Sequence, residues 1–174
     1  MNTYFTADTH FGHKNIIKYA HRPFNSVEEM DEVLIANWNA KVKQEDTVYH
    51  LGDFAFSKNP DKYFYRLNGT KILIKGNHDS QLTTRLPWDK VRDYLEIKVN
   101  GQFIVLMHYA MKVWNKSHYG SWQLYGHSHG TLPDDSNSRS MDVGVDCFNY
   151  APVSFETLEI LMALKKFMPI DHHE

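Results

Sequence analysis

Five apolar segments of this sequence end in the same way, with carboxylate, imidazole or amide side chains directly after the apolar run. The polar groups are Asp8-Thr9-His10, Gly52-Asp53, Gly76-Asn77-His78-Asp79, His108 and Gly126-His127-Ser128-His129. In open α/β sheets the carboxyl ends of the strands face one shared crevice, so we expect these groups to converge. Residues two apart in an extended chain point to the same side, which lets Asp8 and His10 reach one ion.

Short runs rich in β-branched and aromatic residues predict the strands, and the turn signals between them predict their limits. The predicted strands are roughly 2–7, 46–51, 70–75, 93–99, 102–107, 122–126 and 141–145. Asn100-Gly101 predicts an antiparallel hairpin between two of them. Strands and helices alternate in the first half and strands dominate the second. This order predicts an α/β fold with two packed sheets in a single domain over residues 1–174.

Three helices are predicted from capping residues and apolar spacing. The first begins after Ser26, with Glu29 as its capping-box partner, and ends near Lys43. The second has Asn59 as its cap and Pro60 at its first position, and it runs to about Leu67. The third follows Ser154.

The convergent side chains predict a metal centre. They offer two carboxylates, one amide oxygen and four imidazoles, which is too many donors for one ion. Mixed nitrogen and oxygen donors suit two transition-metal ions, Mn first and Fe, Zn, Ni or Co as alternatives, rather than Ca or Mg. Asp53 is the candidate bridge between the two ions. A purely structural site would favour a closed cage with cysteine ligands, and the chain has only Cys147.

In these blocks the sequence resembles the calcineurin-like metallophosphoesterases, whose signature is D-x-H, G-D, G-N-H-D or G-N-H-E, H, and G-H-x-H. Every block is present in the family's order between residues 8 and 129. The resemblance implies a four-layer αββα sandwich with two mixed β-sheets, and it is strongest to the small bacterial and phage-type phosphodiesterase branch. It also implies two ion sites, which share one ligand. These are Asp8, His10, Asp53 and His129 for one ion, and Asp53, Asn77, His108 and His127 for the other.

Two ions roughly 3.5–4 Å apart clamp a phosphate and lower the pKa of a shared water, so we expect in-line attack by metal hydroxide. The leaving oxygen still needs a proton. His78, between Asn77 and Asp79, is the predicted general acid, and Asp79 is predicted to orient its ring and raise its pKa. The alternative is that His78 only donates a hydrogen bond near the metals.

Arg22 and His13 are the predicted substrate-binding residues. Arg22 lies in a loop-like stretch soon after the first ligands, where a guanidinium could pair with substrate phosphate. His13 follows His10 by three residues. For each, a solvent-exposed surface role is the alternative.

The substrate is predicted to be a small phosphoester, and phosphodiesterase action on a nucleotide or a small phosphodiester is favoured. Family members that act as protein serine/threonine phosphatases continue G-D with x-x-D-R-G, whereas Gly52-Asp53 is followed here by Phe54-Ala55-Phe56-Ser57-Lys58. A phosphomonoesterase is the first alternative. A metal-bound scaffold without catalysis is the second, although a scaffold has no chemical need for these side chains.

Charge and hydrophobicity limit the partners that the protein can bind and the compartment in which we expect it. The formal net charge of −2 gives no basic stripe for long duplex nucleic acid. No apolar run approaches roughly 18 residues, and no signal-peptide pattern opens the chain, so we expect a soluble cytoplasmic protein that binds no membrane. A homodimer is a weaker expectation, because an apolar group near the C-terminus could form either a dimer patch or a core edge. This group is Phe148, Tyr150, Val153 and Phe167.

Overall fold

The computed structural model describes residues 1–171 and contains an α/β fold with nine strands and five α-helices in that range. The strands are β1 Thr3–Thr6, β2 Thr47–His50, β3 Thr70–Ile74, β4 Lys90–Arg92, β5 Tyr94–Val99, β6 Gln102–Met107, β7 Trp122–Tyr125, β8 Ser140–Asp142 and β9 Val153–Ser154. The helices are α1 Lys14–Tyr19, α2 Val27–Lys41, α3 Asp61–Phe64, α4 Gln81–Thr84 and α5 Phe155–Ala163.

Both sheets are mixed, as predicted. The first has the order β4-β3-β2-β1-β9, in which β9 is the antiparallel member. The second has the order β5-β6-β7-β8, in which only the β5–β6 hairpin is antiparallel. The parallel strands β1, β2, β3, β6 and β7 therefore deliver the segments that follow them to one end of the molecule.

Two apolar layers stabilise the fold, one on each face of the first sheet. Met30, Leu34 and Trp38 of α2 pack with Tyr4 and Val48 on one face of the first sheet. On its other face, Phe5 and Ile74 pack with residues of the second sheet. Adjacent strand residues point to opposite faces, which is why Tyr4 and Phe5 belong to different layers.

The layer outside the second sheet is made largely of irregular chain. Gln123 points away from the inter-sheet layer and is fully buried, and its amide accepts a hydrogen bond from the Met111 N–H at 3.3 Å. Trp114 lies in the same covering segment and donates its indole N–H to Ser121. Helix α5 closes the inter-sheet layer instead, where Phe155 stacks on Trp122 with a centroid distance of 5.4 Å.

Local signals predicted the long elements and missed the short ones. The Ser26 hydroxyl accepts the Glu29 N–H at 3.1 Å, which confirms the cap of α2. Helix α3 is shorter than predicted, with Pro60 in place of Asn59 as its cap residue. Helices α1 and α4, strand β4 and the two-residue β9 were not predicted, because elements of two to six residues carry too little periodicity.

The apolar group near the C-terminus belongs mainly to the core. Val153 is buried in the inter-sheet layer, Phe148 packs against the same layer, and Tyr150 packs against the α2 layer. The Phe167 ring lies under the Arg139 guanidinium at 4.9 Å. The core-edge alternative is therefore the one observed, and the homodimer prediction loses this patch as its basis. Among the helices of residues 1–171, none has the length and apolar composition needed to cross a bilayer.

Candidate metal centre

The predicted ligands stand on strained backbone just beyond the strand ends. Asp8, His10, Asp53, His127 and His129 all have positive φ, between 49° and 67°. Left-handed backbone is rare for residues other than glycine and clusters at functional sites, where surrounding contacts hold it in place. Here the chain after β1 is bonded to the chain after β2, through Asp8 N–H to Gly52 at 2.9 Å and His10 N–H to Asp53 at 3.0 Å.

One donor group consists of Asp8, His10 and His129, with ligand atoms that all lie within 4.8 Å of one another. Asp8 and His10 are buried. The Asp8 Oδ2 atom accepts the His127 N–H at 2.9 Å, but its Oδ1 atom and both His10 ring nitrogens have no hydrogen-bond partner. Buried polar atoms normally have partners, so these orphaned atoms fit a role as metal ligands.

The second donor group consists of Asp53, His108 and His127, again with ligand atoms within 4.8 Å of one another. Asn77 joins this group, because its Oδ1 atom lies 3.1 Å from His108 Nε2 and 3.1 Å from His127 Nδ1. The His108 Nδ1–H donates to the Leu51 carbonyl at 2.7 Å. That bond fixes the tautomer and leaves Nε2 free to bind a metal.

Asp53 lies between the two groups. Its Oδ2 atom is 3.6 Å from His10 Nε2 and 3.6 Å from His108 Nε2, while its Oδ1 atom accepts the His78 N–H at 2.8 Å. The carboxylate therefore faces one member of each group with the same oxygen. All seven predicted ligands are brought together in these two adjoining groups.

The electrostatics of the donors fit divalent cations. Burial lowers the pKa of His10, with the neighbouring His129 adding to the effect, so the ring is neutral and offers lone pairs. Burial also lowers the pKa of His108, against the opposing influence of Asp53. Burial raises the pKa of Asp8 well above its usual range, and the nearby carboxylates of Asp142, Asp53 and Asp146 raise it further. Cations would relieve this crowding of carboxylates and lone pairs.

Close backbone approach in the centre requires glycine at two positions. Gly52 has φ of +98°, and a Cβ there would lie 2.5 Å from His108 Nδ1. A Cβ on Gly76 would lie 2.6 Å from the Asp53 backbone nitrogen. Larger residues would push apart the loops that carry the ligands.

The predicted role of Asp79 is wrong. Its carboxylate accepts three backbone N–H groups, from Asp53 at 2.9 Å, Phe54 at 2.9 Å and Gly76 at 2.8 Å. These bonds direct both oxygens at the backbone, and the ring contacts described for His78 are to His10 and Phe56 rather than to Asp79. It joins the loop after β2 to the loop after β3 and thereby positions Asp53 and Asn77.

The predicted substrate contact of Arg22 is also wrong. Its side chain is fully buried and forms a two-bond ion pair with Asp146, with both bonds 2.8 Å long. The other donors reach the carbonyls of Asp8 at 2.6 Å and Thr9 at 3.1 Å and the Met30 sulfur at 3.4 Å. All five N–H donors are thus used beneath the first donor group, and none is left for a phosphate.

Sequence reasoning missed Asp146. Its Oδ2 atom accepts the His129 Nδ1–H at 2.8 Å, which leaves His129 Nε2 facing the first donor group. Burial alone would raise the Asp146 pKa, but hydrogen bonds from His129 and Arg22 outweigh burial and lower it. A carboxylate behind a metal-binding histidine is a common arrangement. The one signal in the sequence is that Asp146 directly follows the predicted strand 141–145, as the predicted ligands follow theirs.

His78 and His13 line the cavity above the two donor groups, which has a volume of about 370 Å³. The exposed His78 ring lies 5.6 Å from the His10 ring, and the His13 ring lies 5.4 Å from it, both as centroid distances. Their predicted roles stay predictions. A second cavity of about 400 Å³ lies on the outer face of the second sheet beside Trp114 and Arg139, and none of the predicted ligands lines it.

Three comparisons place the chain among known proteins. The family model described as calcineurin-like phosphoesterase matches residues 1–160. A protein of Methanocaldococcus jannaschii, named uncharacterized protein MJ1445, is 38% identical over 164 residues, which is 89% of this chain and 88% of that protein.

Two solved structures are similar in fold. The crystal structure of the protein of unknown function AQ665 from Aquifex aeolicus has a TM-score of 0.76 at 27% identity and covers 92% of this chain and 98% of its own. A structure described as a novel archaeal phosphodiesterase has a TM-score of 0.50 at 19% identity, covers 83% of this chain and 82% of its own, and shows the fold alone. With the family model matching nearly the whole described chain, this protein belongs to the calcineurin-like phosphoesterase family.

Proposed function

We propose that this protein is a two-metal phosphodiesterase that hydrolyses a small phosphodiester, with nucleotides as the favoured class. The observation that carries the proposal is the Asp53 carboxylate, whose Oδ2 atom lies 3.6 Å from an imidazole of each donor group. Mn as the metal, a cytoplasmic location and one domain over residues 1–174 are parts of the same proposal.

The donor groups divide into the two ion sites that the family resemblance implies. One would be held by Asp8, His10, Asp53 and His129, and the other by Asp53, Asn77, His108 and His127. Two divalent ions, when bound, supply positive charge to the phosphate and activate water for attack on phosphorus. The chain itself supplies the neutral imidazoles, the carboxylates and the buried Arg22–Asp146 pair that fixes His129.

The remaining chemical task is to protonate the leaving oxygen. The His78 backbone N–H is anchored on Asp53 Oδ1, while the ring is exposed to the cavity next to His10. An imidazole at this place can donate its proton to the departing ester oxygen without being a metal ligand. We assign His78 as the general acid on this basis.

A diester suits the cavity better than a monoester. Among residues 1–171, those that line the cavity include no lysine or arginine, and Arg22 is fully used below it. A phosphate monoester carries a charge of about −1.5 to −2 at neutral pH, so it needs more positive charge around it than a singly charged diester does. This contrast favours diesters and leaves phosphomonoesterase activity as the second candidate.

The test compares bis(p-nitrophenyl) phosphate with p-nitrophenyl phosphate, using metal-stripped protein resupplied with Mn. We expect faster Mn-dependent cleavage of the diester, lost in Asp53→Asn, because the amide cannot bridge two cations as a carboxylate does. Faster cleavage of the monoester would move the phosphatase candidate to the front. Bound Mn without turnover of either ester would favour the non-catalytic scaffold instead.

A further inference from the structure

We propose that a separate subsite for a flat ring lies at the edge of the cavity, and that this subsite binds the base of a nucleoside phosphodiester. It is formed by His13, Tyr19 and Phe56, which we call the ring shelf. The inference rests on the proposed phosphodiesterase function and adds to it the part of the substrate that the metals do not hold.

The ring shelf continues directly from the metal centre. Ring centroids are 5.6 Å apart between His10 and His78, 6.2 Å between His78 and Phe56, and 4.6 Å between Phe56 and His13. The Tyr19 ring follows at 6.4 Å from His13. An ester group that extends from the phosphate towards these rings would meet ring surfaces from His10 outwards to solvent.

Rigid backbone presents these rings to solvent. The Phe56 side chain is 56% exposed and that of Tyr19 is 69% exposed. The Phe56 N–H nevertheless donates to the Phe11 carbonyl at 2.9 Å, and Phe11 forms a parallel bridge with Ala55. A single exposed aromatic residue needs no explanation, but rings in mutual contact beside a polar cavity form a preorganised surface that loses little entropy on binding.

The side chains beside the ring shelf limit how many phosphate groups the ligand can carry. Within the described chain, the residues lining the cavity are His10, His13, Ile16, Tyr19, Asp53, His78, His127, Ser128, His129 and Thr131. None is a lysine or arginine, so a chain of additional phosphates has no side-chain cation to pair with there. Ring surface is what the protein offers beyond the metals, and stacking accepts every base because each has a π-face. These facts favour an ester of one phosphate with a nucleoside.

The test uses two diesters with the same leaving group, thymidine 5′-(p-nitrophenyl phosphate) and methyl p-nitrophenyl phosphate, on the full-length Mn-loaded protein. Phe56→Ala should lower the ratio of kcat/KM for the thymidine ester to that for the methyl ester by about 5- to 160-fold, which corresponds to ~1–3 kcal/mol of base stacking. Phe56→Tyr should keep the ratio, and Phe56→Leu should lose most of it. Tyr65→Ala, which removes a 72% exposed ring elsewhere, is the matched control.

Binding measured without turnover separates this inference from the proposed function. Phe56→Ala should weaken the binding of thymidine 5′-monophosphate by a similar factor and leave the binding of inorganic phosphate unchanged. If the wild-type protein cleaves neither ester, the phosphodiesterase proposal fails while the binding comparison still decides the ring shelf. Equal losses on both esters, no change in thymidine 5′-monophosphate binding, or the same change in Tyr65→Ala would overturn the ring shelf.

Discussion

Arg22 offers the sharpest test of how the first donor group is held. The substitution Arg22→Met leaves the buried Asp146 carboxylate with His129 as its remaining side-chain partner. It also removes the hydrogen bond that Arg22 donates to the Asp8 carbonyl. Removing one member of a buried ion pair typically costs about 3–5 kcal/mol, because the other charge stays buried without its counter-ion. For a chain of this size, we expect the Tm to fall by roughly 6–20 °C.

The protein contains a matched control for this experiment. Arg66 forms the same two-bond geometry with Glu32, at 2.7 and 2.6 Å, but the side chains are 46% and 63% exposed. Exposed pairs contribute only ~0.2–1 kcal/mol. Arg66→Met should therefore lower the Tm by no more than about 4 °C.

Both variants should be compared by thermal unfolding of metal-stripped protein, because bound Mn would itself stabilise the folded state. Calorimetric titration then measures Mn affinity, which should fall about 10- to 100-fold in Arg22→Met, since Asp146 orients His129. The reasoning is refuted if Arg22→Met unfolds no earlier than Arg66→Met. It is also refuted if Arg22→Met raises only the KM for substrate, as a phosphate-binding arginine would.

Three further predictions follow from the site and its surroundings. His78→Ala should keep its Mn content but lose about 10²- to 10⁴-fold in kcat on diesters with poor leaving groups, and far less on p-nitrophenyl esters, which need no acid; equal losses on both would contradict the acid role. Asp79→Asn replaces an acceptor of three backbone N–H groups and should destabilise the protein by about 1–3 kcal/mol in urea unfolding, with weaker Mn binding; unchanged stability would count against it. Burial lowers the pKa of His50 from 6.5 to about 3, so its contribution to stability is complete above pH 6.5 and is lost as the pH falls towards 3. Between pH 7.5 and 5, metal-stripped wild type should therefore lose roughly 2 kcal/mol more than His50→Gln, and parallel pH profiles would exclude this role.

The convergence of the predicted ligands could be foreseen from sequence because their positions depend on local rules. A parallel strand delivers whatever follows it to the carboxyl edge of the sheet, so Asp8, Asp53 and His108 were identifiable from the runs before them. Helix α2 was predictable for a similar reason, since Ser26 and its capping partner lie three residues apart.

The supporting residues could not be predicted, because their partners are distant in sequence. Arg22 meets Asp146 across 124 positions, and Asp79 meets the Asp53 backbone across 26. Arg22 and Asp79 were each predicted to act on the substrate or on His78 because they lie close to predicted metal ligands in the sequence. The number of hydrogen-bond partners each side chain gains on folding decides its role, and that number depends on how β1, β2 and β8 are placed. The position of Tyr19 could not be predicted for a different reason, because α1 has only six residues and they carry too little helical periodicity.

The central claim of the proposed function is that diester hydrolysis requires two metal ions, which the two donor groups around Asp53 would hold. A stoichiometric Mn titration tests this claim most directly. Metal-stripped protein is titrated with Mn while the turnover of bis(p-nitrophenyl) phosphate is followed against equivalents added. The account predicts that little activity appears up to one equivalent and that most of it appears between one and two. Full activity at one equivalent, or no activity with two ions bound, would contradict it.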